Sequence, residues 1–442
     1  MKILKKITDK RILYIFTLCI LIFLPILKQG SFYLVKYNII SNHDSINPAI
    51  VLYISIPFLI YVYIKNLIKT KRKLDIYDYL FYILITAGII ATLLSINKEI
   101  SLFGKAYRHE GLFTVLCYYL LFITWKVEGN KKDIGNLVRV IIGMALLNSI
   151  YALFQIYTPC TFVLRFAIHK EMASGISGNP NFFGTLIVTA LSIITARFLV
   201  DKKVTIKEIL LVILLFISLI NSQSLGPFLT YIITIIFLII YLIIKKKIML
   251  KKLIYLILTL VITYISIYYI NIIYYNNVNN EMYNFKDKFK DTENIVQVID
   301  KVDSGRLTIW QRSMEIIQKN LIDGVGFDNL YLAYYEGENL TQVYFVTTEN
   351  GIEARPLYTE IVDNAHNVYM QTLVSTGLLG LIPYLLLCLL TFIKGLRTKN
   401  NLVIFLLGGF VAYSIQAFIN INVIQVTPIY YVIIGLMLSI KQ

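Results

Sequence analysis

This chain predicts an all-α membrane protein of about twelve transmembrane helices with one large, partly helical extracytoplasmic loop. Three observations carry that expectation. Apolar residues make up 57% of the 442 positions, and the mean hydropathy is +0.69. Apolar runs of bilayer-crossing length recur along most of the chain, and basic residues collect in alternate connections between them. Soluble folds do not tolerate such a composition.

The apolar runs fall at about 12–27, 47–64, 76–96, 111–125, 137–157, 181–199, 207–221, 226–244, 253–273, 368–393, 402–419 and 426–440. The first is long, lacks a small-residue cleavage site and continues into further runs, so it reads as a retained helix and not a removed signal peptide. Lysines and arginines precede run one and follow runs two, four, six, eight and ten, as in Lys69-Thr70-Lys71-Arg72-Lys73 and Lys245-Lys246-Lys247. By the positive-inside rule both termini are then cytoplasmic. The net charge of +16 comes mostly from these clusters, so it marks topology and lipid contact and calls for no nucleic-acid partner.

The chain divides into three units: an N-terminal bundle of about nine helices (1–273), an extracytoplasmic loop domain (274–367) and about three C-terminal helices (368–442). The middle unit is too long for a passive turn and should hold structure of its own. Within it Leu307, Trp310, Met314, Ile317 and Leu321 repeat at three and four residues, an amphipathic helix with its stripe expected to pack on the membrane domain. Asp303 or Ser304 can cap its start, and Gly324-Val325-Gly326 stops it. Cys19, Cys117 and Cys388 lie in spans and Cys160 near an outer connection, which gives no disulfide framework. No Cys/His spacing suggests zinc, so neither a metal nor a cofactor is expected.

Chemistry-bearing residues gather at the expected outer ends. Arg108, His109 and Glu110 stand at the mouth of the fourth span, where a salt bridge and a snorkelling arginine are the plain alternative to a site. Asn179-Pro180-Asn181 opens the sixth span, and ordinary capping would explain it. Arg306 sits in the first turn of the amphipathic helix, which the helix dipole disfavours by roughly 0.3–1 kcal/mol. An anion shared with the helix amides would offset that cost, as would a surface ion pair. His366 falls in the first turn of the tenth span if Asp363 or Asn364 caps it, and a helix N-terminus keeps an imidazole neutral and able to take a proton. Asn367 and Gln371 lie one turn apart beside it, and Asp363 is close enough to orient the ring; a capping or interfacial histidine is the alternative.

Taken together, Arg-His-Glu-Gly-Leu-Phe-Thr at 108–114, Gly-Asn-Pro-Asn-Phe-Phe-Gly at 178–184, Ser-Gly-Arg at 304–306 with Trp310, Ala-His-Asn-Val-Tyr-Met-Gln at 365–371 and Gln-Ala-Phe-Ile-Asn at 416–420 resemble the O-antigen ligase and O-antigen polymerase superfamily. The resemblance covers roughly residues 75–440, with the motifs in order. It implies a metal-independent membrane glycosyltransferase. Such an enzyme moves a glycan from an undecaprenyl-pyrophosphate carrier to an acceptor hydroxyl of a glycan, lipid or cell-wall molecule, outside the cytoplasmic membrane of a bacterium. The family's histidine matches His366 and its loop arginine matches Arg306. Where family members often carry Ser-Arg-Gly, this chain has Ser224-Leu225-Gly226. Leu225 thus replaces a cation expected near the pyrophosphate, for which Arg108, Arg312 or Arg355 would substitute, unless the donor differs or activity is weak.

On this reading Arg306 and Arg108 hold the pyrophosphate and His366 accepts the hydroxyl proton, oriented by Asp363 or Asn367. Glu110, Asn179, Asn181, Gln371, Gln416 and Asn420 complete the candidate site. A twelve-helix secondary transporter is the rival from another class, but it would show paired repeats and polar breaks at mid-membrane depth, which this chain lacks. A membrane scaffold without catalysis is a third reading. Polymerase, ligase and protein O-glycosyltransferase share these motifs, and the sequence does not separate them.

Overall fold

Side chains that satisfy the first backbone N–H groups of a helix fix where helices begin. Asp75, Asn130 and Thr205 each open a helix with a capping box completed by Asp78, Asp133 and Glu208. Asn179 caps the next by accepting from the Asn181 N–H, with Pro180 in the first turn where its missing donor costs nothing. The computed structural model describes residues 8–28, 47–106, 108–158, 172–201, 205–247, 250–278, 305–336, 343–348, 351–356 and 362–440. Asp303, Ser304 and Cys160, and the side chain of Arg355, lie outside that description.

The helices in chain order are α1 (Asp9–Lys28, with a π-helical stretch Cys19–Phe23), α2 (Ile50–Thr70), α3 (Ile76–Leu93), α4 (Lys98–Phe103) and α5 (Leu112–Glu128). Then come α6 (Lys131–Tyr157), α7 (Pro180–Val200), α8 (Ile206–Asn221), α9 (Leu225–Ile244) and α10 (Leu250–Val278). The last five are α11 (Arg306–Lys319), α12 (Leu330–Tyr334), α13 (Val368–Arg397), α14 (Asn401–Gln416) and α15 (Thr427–Ser439). Each of the twelve expected apolar runs holds a helix. Only eight of these, α1, α2, α3, α6, α7, α9, α10 and α13, are long and apolar enough by themselves to cross a bilayer. At 17, 16, 16 and 13 residues, α5, α8, α14 and α15 are shorter than the 20 or so residues of a typical span. The chain is a multi-pass membrane protein, with at least the eight long helices as candidate crossings.

Burial sorts these helices by depth in the bundle. α7 is buried almost all round, as are α14 and α15, and α7 packs along α14 while α15 packs along α5. A helix apolar on every face belongs inside a bundle or in lipid, and these three are inside it. α10 is the reverse, presenting Ile254, Ile257, Leu258 and Ile262 outward, the surface a helix offers to acyl chains.

One break within the bundle joins the segment after α11 to the membrane helices. Inside α13, Gly377 leaves the helical region at φ 59° and ψ −161°. A side chain there would place its Cβ 2.1 Å from the Ile322 carbonyl oxygen, so only glycine fits. The backbone groups freed by the break are taken up by the segment after α11. Leu378 and Leu379 N–H donate to Leu321 and Ile322 carbonyls, while Val325 and Gly326 N–H donate to Val374 and Ser375 carbonyls. Irregular backbone of this kind is tolerated beside a membrane only where protein re-satisfies it.

The expected loop domain differs from its sequence reading in three ways. Besides helices it contains an antiparallel hairpin, β1 (Val343–Thr348) paired with β2 (Gly351–Pro356), with Val343 opposite Pro356. α11 ends at Lys319, one turn before Gly324, and Gly305 occupies its N-cap position. Its buried stripe is Ser313, Ile316 and Ile317, whereas Leu307, Met314 and Leu321 are exposed. Of the five expected stripe residues only Ile317 is buried and Trp310 half-buried: α11 rests on α12 and α13, whose positions rotate the contact face away from Leu307 and Met314.

Candidate functional site

The turn before α13 is held rigidly by its own polar side chains. Asn367 is the N-cap, accepting from the Tyr369 and Met370 N–H groups at 3.0 Å each. His366 therefore precedes the cap and is not in the first helical turn, and Asn367 is committed to the helix end instead of to the ring. His366 has φ 50°, a left-handed conformation that costs a non-glycine residue strain. Its N–H donates to Asn364 Oδ1 at 3.1 Å, and the Ala365 N–H to Gln371 Oε1 at 2.9 Å. From α11, the Trp310 indole N–H donates to the Ala365 carbonyl at 2.8 Å, pinning the turn from above. Trp310 is therefore a support of the His366 turn, a role the periodicity did not suggest.

Two arginines from distant positions converge here. Arg108 makes a two-pronged contact with Asp363, Nε to Oδ2 at 2.7 Å and Nη2 to Oδ1 at 3.2 Å, with both side chains largely buried. Its guanidinium also lies 6.0 Å from the Phe182 ring centre at the start of α7. Arg306 begins α11 and is close enough to act on His366 electrostatically. Burial, then the charges of Arg306 and Arg108, push the His366 imidazole down to about 4 against partial opposition from Asp363. At neutral pH the ring is uncharged and can accept a proton. Burial alone would raise the Asp363 carboxyl, but Arg108 outweighs it and holds the group below its ordinary range. Both Asp363 oxygens serve Arg108, so the geometry ties Asp363 to the arginine and not to ring orientation.

Beneath this cluster lies a small cavity of about 50 Å³, lined among others by Glu110, Asp328, Asn364, Gln371 and Tyr384. Glu110 is buried, accepts from the Tyr118 hydroxyl at 2.8 Å and is pushed up to about 8 by burial and by the neighbouring Asp328. Burial thus favours its protonated form over the anion. Gln371 also reaches Ser375 Oγ at 3.3 Å, completing the floor.

The other expected site residues form a separate neutral seam between α7, α9 and α14. Asn179 is spent on capping α7. Asn181 shares a hydrogen bond with Ser224, and Asn420 donates to Thr185 Oγ1 at 2.8 Å and to the Asn181 carbonyl at 3.2 Å. Gln416 accepts from Thr230 Oγ1 at 2.8 Å, all within the helix interface. Leu225 starts α9 next to this seam and brings no charge to it. Arg312 is turned away, pairing with Glu315 at 3.2 Å and reaching the Tyr334 carbonyl; it lines a groove of about 300 Å³ with Lys319 and Glu336. Among the described residues no group of three or more His, Cys, Asp or Glu is placed to hold a metal ion.

Residues 210–385 match the family model described as O-antigen ligase. The matched stretch contains Arg306, Asp363 and His366, while Arg108 lies before it. No curated protein matches the chain.

Proposed function

We propose that this chain, whose residues 210–385 match the O-antigen ligase family model, is a membrane glycosyltransferase of cell-surface polysaccharide assembly. A glycan leaves an undecaprenyl-pyrophosphate carrier for an acceptor hydroxyl on the outer face of a bacterial cytoplasmic membrane, with both termini cytoplasmic and all twelve apolar helices crossing. The acceptor oxygen attacks the anomeric carbon as the bond to the pyrophosphate breaks. The bonding pair leaves with the pyrophosphate, and the hydroxyl proton passes to the His366 imidazole. The leaving group is already an anion, so the work lies in neutralising and positioning it more than in protonating it.

The observation that carries this reading is the convergence of Arg306 and Arg108 on an uncharged His366. Guanidinium forks suit a pyrophosphate, and a neutral imidazole suits a proton. Arg108, held by Asp363, would supply the second cation that Leu225 does not. Asn364, Gln371 and Trp310 keep the His366 turn in place, and the apolar surface of the bundle would take the isoprenoid tail.

Deleting the gene should cause an undecaprenyl-linked glycan to accumulate, and the wild-type chain should clear it. No accumulation in the deletion strain would overturn the reading. In the complemented strain, Asn279→Cys should react with an impermeant thiol reagent in intact cells and Lys246→Cys should not; the reverse would put the site on the wrong side.

A further inference from the structure

Asp328 takes no part in the reaction as derived, yet it is a buried carboxylate turned into the loop that carries Arg108. Its Oδ2 accepts from the Lys105 N–H at 2.9 Å and the Glu110 N–H at 3.1 Å, the two ends of the segment around Arg108. The Lys105 carbonyl in turn accepts from the Arg108 and His109 N–H groups at 2.9 and 2.8 Å. Two hydrogen bonds and one residue thus separate the Asp328 carboxylate from the Arg108 backbone.

The loop is shaped to need that anion. A Cβ at Gly104 would fall 2.4 Å from the Glu110 nitrogen, and one at Gly111 2.3 Å from the Gly104 nitrogen, so the loop ends meet backbone to backbone. Converging N–H groups at such a closure favour a negative charge. Asp328 is itself fixed, with φ 53° in a segment bonded on both sides: the Phe327 N–H donates to Ser101 Oγ, and Asn329 Nδ2 to the Asn97 carbonyl. A strained conformation persists only where its surroundings over-determine it.

We infer that Asp328 is a positioning residue for donor binding: its carboxylate closes the 104–111 loop and so sets where the Arg108 guanidinium meets the pyrophosphate. This rests on the function proposed above. A plain structural staple would lower stability without acting through Arg108, and the two differ in what a double substitution does.

The probe is undecaprenyl pyrophosphate, titrated onto the purified full-length protein in lipid nanodiscs. Arg108→Ala and Asp328→Asn should each weaken binding about tenfold, and the double variant should be no weaker than Arg108→Ala within about twofold, because coupled residues are not additive. Asn329→Ala, which loosens the same segment without touching residues 105–110, should lower the thermal midpoint and leave affinity unchanged. Burial pushes the Asp328 carboxyl up to about 6 against the N–H groups of Lys105 and Glu110 and the charge of Arg108, with Asp363 adding to the rise and Glu110 and Tyr331 facing it. Affinity should therefore fall as pH drops through about 6 in the wild type more than in Asp328→Asn or Arg108→Ala. The Arg108→Ala comparison needs no folded Asp328 variant. Failure of the wild-type protein to bind the probe would sink the proposed function itself. Binding by the wild type, with Asp328→Asn at full affinity, with losses that add to those of Arg108→Ala, or with an acid limb that survives Arg108→Ala, would overturn this inference alone.

Discussion

Two of the polar clusters among the described residues held candidate site residues, and they differ in kind. Around His366, charged side chains from three separate stretches, Arg108, Arg306 and Asp363, meet an uncharged imidazole. Between α7, α9 and α14 the cluster is neutral, and Asn181, Ser224, Thr185, Asn420, Thr230 and Gln416 satisfy one another. Both were candidates on the same footing in the sequence. A cluster that is content with its own hydrogen bonds holds helices together, whereas one with two guanidinium groups beside an uncharged base is arranged for an anion and a proton that arrive from outside.

If that contrast is right, the largest effect belongs to His366. Removing a general base raises the barrier without removing ground-state contacts, so His366→Ala should lower turnover of the lipid-linked glycan by about 10²–10⁴-fold and leave donor KM nearly unchanged. The pH profile gives the sign. The imidazole sits at about 4, so it is a competent base above that value, and base-dependent turnover at saturating donor should decline only as pH falls toward 4. Folding feels the same group: its value is depressed from 6.5, so the unfolded chain binds the proton more readily, and the stability it contributes is lost as pH falls from about 6.5 through 4. Wild-type turnover by purified His366→Ala would make the residue a turn former and nothing more.

Next in size is Arg306. Lysine keeps the charge but not the planar fork, so Arg306→Lys should cost most of the transfer activity, on the order of tenfold or more, through weaker donor binding. Its position at the start of α11, where the dipole disfavours a cation, predicts that the same change leaves the thermal midpoint within a degree or two. Full kcat/KM in both Arg306→Lys and Arg306→Ala would remove it from the site and erase the difference between the two clusters.

The sequence carried the membrane class and the helix positions because hydrocarbon imposes a strong, local signal: a helix stands at each expected apolar run. It carried less about depth, since hydropathy does not distinguish α14 and α15, buried in the bundle, from α10, which exposes an apolar face. At the site, the arginines and histidine were legible as residue types in motifs, but their partners were not. Asp363 serving Arg108, Asn367 spent on the cap and Trp310 pinning Ala365 are all long-range or one-residue matters that periodicity does not encode. Asp328 escaped notice for the same reason. Its partners lie more than 200 residues away, and only the Gly-Val-Gly-Phe-Asp sequence after an amphipathic helix hinted at a tight, specific turn.

The smallest expected effect is on the neutral seam, and it sharpens the comparison most. Asn420 donates to Thr185 and to the Asn181 carbonyl from a fully packed position, so Asn420→Ala deletes two interhelical hydrogen bonds and leaves two acceptors short of a donor. Such bonds within membrane bundles are worth about 0.6 kcal/mol on average and up to about 1.7, because the partners find substitutes. The variant should therefore lose about 1 kcal/mol of stability, visible as a lower unfolding midpoint in detergent, while donor KM and turnover stay within about twofold. An unchanged midpoint with activity reduced to the level of Arg306→Lys would mean that the seam touches substrate. In that case Leu225 lies at the edge of the donor site, and the absent cation matters after all.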